Sequence, residues 1–137
     1  MSSRHISELT LIAVVDDDAS IRLATDSLLR SRGYSVRTFE SASAFLQSAE
    51  LNETSCVIAD VRMPVMGGIE LQAVLRARGF TVPFIFITAF PEGVVRTQAM
   101  NGGATCFLTK PFGAPTLIKH VEAALIARRD PPGTRDG

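Results

Sequence analysis

The 137-residue chain is poor in cysteine, carries no excess charge of either sign and holds no long hydrophobic run. Each lack excludes something. Only Cys56 and Cys106 are present, and each sits in an apolar, strand-like stretch. Two buried, reduced thiols are therefore expected, rather than a disulfide or a metal site. Lys+Arg and Asp+Glu both number 14, so the formal net charge is zero. That balance announces no nucleic-acid or anionic-membrane surface, although a small basic patch stays compatible with it. No apolar stretch approaches the roughly 20 residues that span a bilayer. The first one, Leu11–Val15, is too short for a signal-peptide core and runs into three aspartates. The expected location is cytoplasmic, without membrane contact.

What is present is an ordinary globular mixture, 46% hydrophobic and 20% charged. The length suits one compact domain, able to bury a core without disulfides or a structural metal. That domain is expected over residues 9–128. The tail, 129–137, has linker composition and is expected to be flexible.

Five short apolar runs punctuate the chain: Leu11–Val15, Val36–Phe39, Cys56–Ala59, Pro83–Thr88 and Cys106–Leu108. Helical periodicity fills the gaps. Ile21, Ala24, Leu28 and Leu29 share one helical face, as do Leu71, Val74 and Leu75, and as do Leu117, Ile118, Val121, Ala124 and Leu125. Weaker helical segments run through Ser43–Ala49 and Val94–Met100. Gly33, Gly79 and the Gly102-Gly103 pair stop helices where strands should begin. Strands 1, 3 and 4 are almost wholly apolar, as in a sheet covered by helices on both faces. Strand 2, Ser35–Phe39, alternates and reads as an edge. Five alternating βα units imply an α/β fold: a flavodoxin-like, doubly wound five-stranded parallel sheet with five helices.

Polar residues gather just past the apolar strands. Strand 1 ends in Asp16-Asp17-Asp18, strand 3 in Asp60 and strand 4 in Thr88, and strand 5 is followed by Thr109-Lys110-Pro111. Ligands of open α/β sheets bind outside the carboxyl ends of the strands. With strand order 2-1-3-4-5, Asp16, Asp17, Asp60, Thr88 and Lys110 converge on one pocket. Carboxylates that close repel one another, and Lys110 offsets only one charge. A hard divalent cation on oxygen ligands, Mg²⁺ or Mn²⁺, is the natural remedy. The same cation, with Lys110 and the Thr88 hydroxyl, suits in-line transfer of a phosphoryl group to a carboxylate. Asp18 reads instead as a helix N-cap. His5 and His120 read as terminal and helix-surface residues.

Four motifs, VVDDD (Val14–Asp18), IADVRMPVMGG (Ile58–Gly68), FITA (Phe86–Ala89) and FLTKPF (Phe107–Phe112), resemble the receiver domain of two-component response regulators. The wording is most similar to FixJ-type receivers, and the likeness covers about Leu11 to Ala127. It implies that Asp60 is the phosphoacceptor and that Asp16 and Asp17 hold Mg²⁺, Asp17 directly and Asp16 partly through water, with the backbone carbonyl of Arg62 as a further ligand. It makes Thr88 the switch hydroxyl and Phe107 the aromatic switch. It gives Lys110 the role of the motif's lysine, with a cis bond to Pro111. Partners so implied are a sensor histidine kinase or a histidine phosphotransfer protein. The chain is then no enzyme in the ordinary sense, catalysing only its own phosphorylation and dephosphorylation.

In that family, phosphorylation draws Thr88 inward, lets Phe107 swing and reshapes the face made by the fourth helical segment, strand 5 and the last helix. Val94, Val95, Gln98, Lys119 and Glu122 are candidate surface residues there. The face either forms a homodimer on phosphorylation or meets another partner. Arg62 and Phe90 are placed to tune the lifetime of phospho-Asp60 by touching or shielding it. Two readings of the output compete: a stand-alone receiver working by protein contact, and the receiver part of a FixJ-type DNA-binding transcriptional regulator. Only ten residues follow Ala127, too few for a helix-turn-helix, so direct nucleic-acid binding by this chain is not expected. A remote alternative is an aspartyl-phosphate phosphatase, with Asp16 as nucleophile and Asp18 as its acid/base partner.

Overall fold

A computed structural model describes residues 10–89 and 106–129. His5, Phe90, the segment Val94–Met100 with Val94, Val95 and Gln98, the Gly102-Gly103 pair and the tail from residue 130 lie outside the described residues. The elements, in chain order, are β1 (Leu11–Val15), α1 (Ala19–Ser31), β2 (Ser35–Phe39), α2 (Ala42–Leu46), a 3₁₀ turn (Leu51–Glu53), β3 (Thr54–Asp60), α3 (Gly68–Ala77), β4 (Phe84–Thr88), β5 (Cys106–Thr109) and α4 (Ala114–Arg129). The five strands form one parallel sheet in the order β2-β1-β3-β4-β5. Four helices fall among the described residues, and α2 is shorter than the Ser43–Ala49 periodicity suggests.

Strand alternation divides the core in two. Ala13, Val15, Val57, Ala59, Phe84, Phe86 and Phe107 pack on one face, against Phe45 of α2 and Leu71 and Leu75 of α3. Ile12, Val14, Cys56, Ile58, Ile85, Ile87, Cys106 and Leu108 pack on the other, against Leu29 of α1 and Leu117, Val121 and Ala124 of α4. Both cysteines are buried and unbridged. On α1, however, Thr25 is buried with Leu29 while Ala24 is exposed. The half-buried Ile21 and Leu28 pack against this core layer, and with Ala24 and Thr25 they also line a surface groove.

Turn chemistry fixes where the strands start. Gly33 (φ 91°) and Gly79 (φ 89°) end α1 and α3 in the left-handed region. Tyr34 N–H then donates to the Leu29 carbonyl at 3.3 Å, and Phe80 N–H to that of Leu75 at 2.9 Å. At the β2 edge, Arg30 donates from Nε to Asp26 at 2.6 Å and from Nη2 to the Val36 carbonyl at 2.6 Å. No helix among the described residues is long and apolar enough to cross a membrane.

Candidate phosphoacceptor site

Three strand ends deliver the charged groups. Asp16 follows β1 directly and is fully buried. Its N–H donates to the Phe39 carbonyl at 3.1 Å, and its Oδ1 accepts the Asp18 N–H at 2.9 Å. Its own carbonyl accepts from Arg22 Nη1 at 2.7 Å. Asp17, next in line, is exposed. Asp18 caps α1, its Oδ1 accepting from Ser20 N–H at 2.9 Å and Ile21 N–H at 3.3 Å. That engagement leaves little for the phosphatase reading, which needs Asp18 as an acid/base group.

Asp60 closes β3 and is 7% exposed. Its Oδ1 accepts the Arg62 N–H at 3.2 Å, while the Arg62 side chain reaches the surface. Lys110 follows β5, and its Nζ lies 3.2 Å from Asp60 Oδ2 and 3.4 Å from Asp16 Oδ2. Its N–H donates to the Thr88 carbonyl at 2.7 Å, which locks the ends of β4 and β5 together. The Lys110–Pro111 peptide is cis. One carboxylate oxygen each of Asp16, Asp17 and Asp60 can be chosen so that all lie within 4.8 Å of one another.

Asp16, Asp60 and Lys110 continue the alternation of the α1–α4 face of the sheet. Thr88, fully buried, continues that of the opposite face, where Phe107 lies beside Phe86 across the β4–β5 pairing. The sequence therefore brings Asp16, Asp17, Asp60 and Lys110 into one cluster. Thr88 stands at its edge, and Phe107 is buried in the layer below.

Burial is the main force on the Asp16 carboxyl, and the neighbouring Asp60 charge adds to it. The Asp18 N–H and the Lys110 ammonium oppose them, and the pKa settles at about 6, above its ordinary 3.8. For Lys110, burial pulls the ammonium down, but Asp16 and Asp60 together outweigh it and hold the pKa above its ordinary value. The pocket thus has a deficit of positive charge at neutral pH. Its donors are hard carboxylate oxygens, which suit Mg²⁺ or Mn²⁺ rather than a thiolate-seeking metal.

Two supports had gone unread in the sequence. Arg22 sits on the first turn of α1, six residues past Asp16, and that spacing is the signal that lets it reach back to the strand end. Gly68 opens α3 where a Cβ would lie 2.5 Å from the Asp60 carbonyl oxygen and 3.1 Å from Phe86 Cε1. Only glycine lets the helix start that close to the acceptor strand. Beside the site runs an apolar groove of about 590 Å³, lined by Ile21, Leu28, Phe112 and Leu117, with Ala89 and Lys110 at its border.

A doubly wound parallel sheet with an acidic cluster and a lysine at the carboxyl ends of its strands defines a class of α/β signalling domain. The chain belongs to the response regulator receiver domain family, whose model matches residues 12–122. It is 40% identical over 123 residues to the response regulator protein TodT of Pseudomonas putida, covering 89% of this chain and 54% of that protein. It is 38% identical over 114 residues to the transcriptional regulatory protein FixJ of Bradyrhizobium diazoefficiens, covering 83% and 56%. The crystal structure of FixJ-N superposes with a TM-score of 0.77 at 31% identity, over 85% of this chain and 94% of that one. The chain spans about half the length of the curated relatives it matches.

Proposed function

We propose that this receiver accepts a phosphoryl group on Asp60 from a sensor histidine kinase or a histidine phosphotransfer protein. The observation that carries the reading is the Asp60 carboxylate at the end of β3, held by Lys110 at 3.2 Å inside an acidic cluster. An Asp60 oxygen attacks phosphorus as the P–N bond of the donor phosphohistidine breaks. The imidazole leaves neutral after taking up one proton, and an acyl phosphate remains. Lys110 orients the attacking carboxylate and offers its ammonium to the incoming phosphoryl oxygens. The Arg62 N–H fixes the other Asp60 oxygen. Mg²⁺ or Mn²⁺, held by Asp16, Asp17, Asp60 and the Arg62 backbone carbonyl, would supply the missing positive charge.

The signal then passes to Thr88 and Phe107, on the opposite face of the sheet, and to the surface of β5 and α4, where Lys119 and Glu122 are exposed. Contact with another protein, or with a second copy of the chain, is the output. A second reading, a receiver joined to a DNA-binding region, is favoured by the match to about half of a relative named a transcriptional regulatory protein.

Incubation with acetyl phosphate and Mg²⁺, followed by intact-mass measurement, tests the reading. One phosphoryl adduct is expected, absent in Asp60→Asn and absent with EDTA. An adduct that survives Asp60→Asn, or none on the unaltered chain, overturns it.

A further inference from the structure

Of the three carboxylates in the acidic cluster, Asp17 alone is exposed. Both oxygens of Asp16 are engaged, Oδ1 by the Asp18 N–H at 2.9 Å and Oδ2 by Lys110 Nζ at 3.4 Å. Those of Asp60 are engaged in the same way, by the Arg62 N–H and by Lys110 Nζ, each at 3.2 Å. The Asp17 side chain has no such hold, and makes no hydrogen bond or ion pair with the described residues. It is the carboxylate with most capacity left for a cation, and the one that side-chain contacts do least to aim.

Its backbone does the aiming. The peptide after Asp17 is held at its nitrogen, where the Asp18 N–H donates to Asp16 Oδ1. That hold comes from a carboxylate of the cluster itself, on which a bound cation would draw. The peptide before Asp17 is held at its oxygen, where Arg22 Nη1 donates to the Asp16 carbonyl at 2.7 Å. This hold comes from outside the cluster, and it is a short, charge-assisted bond. Arg22 is half-buried, and its own N–H donates to the Asp18 carbonyl at 3.0 Å, so one residue closes the turn from both ends. Its guanidinium pairs with no carboxylate among the described residues. On charge alone, a fixed cation beside a cation site is a liability. The bond to the Asp16 carbonyl is what offsets it.

We infer that Arg22 is a positioning residue for the divalent cation, acting through the Asp16–Asp17 peptide to keep the Asp17 carboxylate on the cluster. The inference rests on the cation reading of the site. The two effects of Arg22 have opposite signs. Removing its charge strengthens the attraction of the pocket for Mg²⁺, whereas removing its bond frees the Asp17 backbone and weakens binding. A loss of affinity on removing the guanidinium therefore comes from geometry and not from charge.

The test titrates Mg²⁺ alone, with no phosphodonor, into the ¹⁵N-labelled full chain and follows the amide shifts of Asp60 to Arg62. Two variants are compared with the unaltered chain. Arg22→Met keeps the stem and removes the guanidinium. Arg30→Met is the control, because Arg30 also lies on α1 and also donates to a backbone carbonyl, that of Val36, but at the β2 edge. The Kd for Mg²⁺ is expected to rise about three- to tenfold in Arg22→Met, below the usual cost of losing a ligand's support because the Coulomb gain opposes it. Arg30→Met should bind Mg²⁺ as the unaltered chain does, even where it melts lower. Binding in Arg22→Met as tight as in the unaltered chain, or tighter, overturns the inference by leaving charge as the whole effect. An equal loss in both variants also overturns it, by assigning the loss to a loosened helix. Absence of Mg²⁺-dependent shifts in the unaltered chain is a different result, and removes the cation reading itself.

Discussion

Replacing Asp16 with asparagine should make the protein more stable in the absence of divalent cations. Asp16 is fully buried, and its carboxyl titrates at about 6 in the folded chain against 3.8 when unperturbed. A raised carboxylate pKa means that the folded state binds more protons than the unfolded state between those values. The contribution is complete below pH 3.8 and is lost as pH rises through 6, so wild-type stability falls across that window. The difference of about 2 pKa units, at about 1.4 kcal/mol each, sets a ceiling of about 3 kcal/mol at pH 7.5. At pH 4.5 the same two values leave about 1 kcal/mol. Asparagine keeps an oxygen for the Asp18 N–H but takes one of two carboxylates from Lys110, which brings the expected gain to about 1–3 kcal/mol. The raised pKa of Lys110 acts above its ordinary 10.5, outside this window. The chain has one tyrosine and no tryptophan, so urea unfolding is best followed by far-UV circular dichroism, in EDTA at both pH values. Millimolar Mg²⁺ at pH 7.5 should stabilise the unaltered chain and narrow the gap. A variant no more stable than the unaltered chain at pH 7.5, or a gap equal at the two pH values, refutes the reasoning.

Gly68→Ala should cost about 1–3 kcal/mol, because the new methyl meets the Asp60 carbonyl oxygen and Phe86 and the start of α3 must shift. A melting temperature unchanged from the parent contradicts the close approach. Gln72 is 2% exposed and its Nε2 has no hydrogen-bond partner among the described residues. Gln72→Met should therefore gain about 1 kcal/mol in thermal unfolding, and a loss shows that the amide is satisfied in solution.

The fold was legible because the strands are so apolar. Odd and even residues of β1, β3 and β4 all have somewhere to be buried, which only a sheet covered on both sides provides. The site was legible because strand ends are where such a sheet gives way to polar groups, so Asp16, Asp60 and Lys110 stood out against their apolar neighbours. Asp18 declared itself as a cap by residue type alone. The misreadings lie where residue type and environment part. Ala24 shares the apolar face of α1 yet is exposed, while Thr25 beside it is buried with Leu29, and both line the groove. Nothing in a valine announces positive φ, yet Val65, in the loop between β3 and α3, adopts it at 71°. Arg22 was missed because its partner is a backbone carbonyl, which the sequence gives no mark.

The bond from Arg30 to the Val36 carbonyl bears on how this domain meets copies of itself. An open edge strand is a template on which a foreign strand can add and a sheet can grow from one molecule into the next. Here a guanidinium already fills one of the edge acceptors, and the exposed Arg37 next along β2, 3.6 Å from Glu50, adds a charged side chain to the edge strand. Strand addition at β2 is discouraged, so the sheet of one molecule does not readily run on into the next.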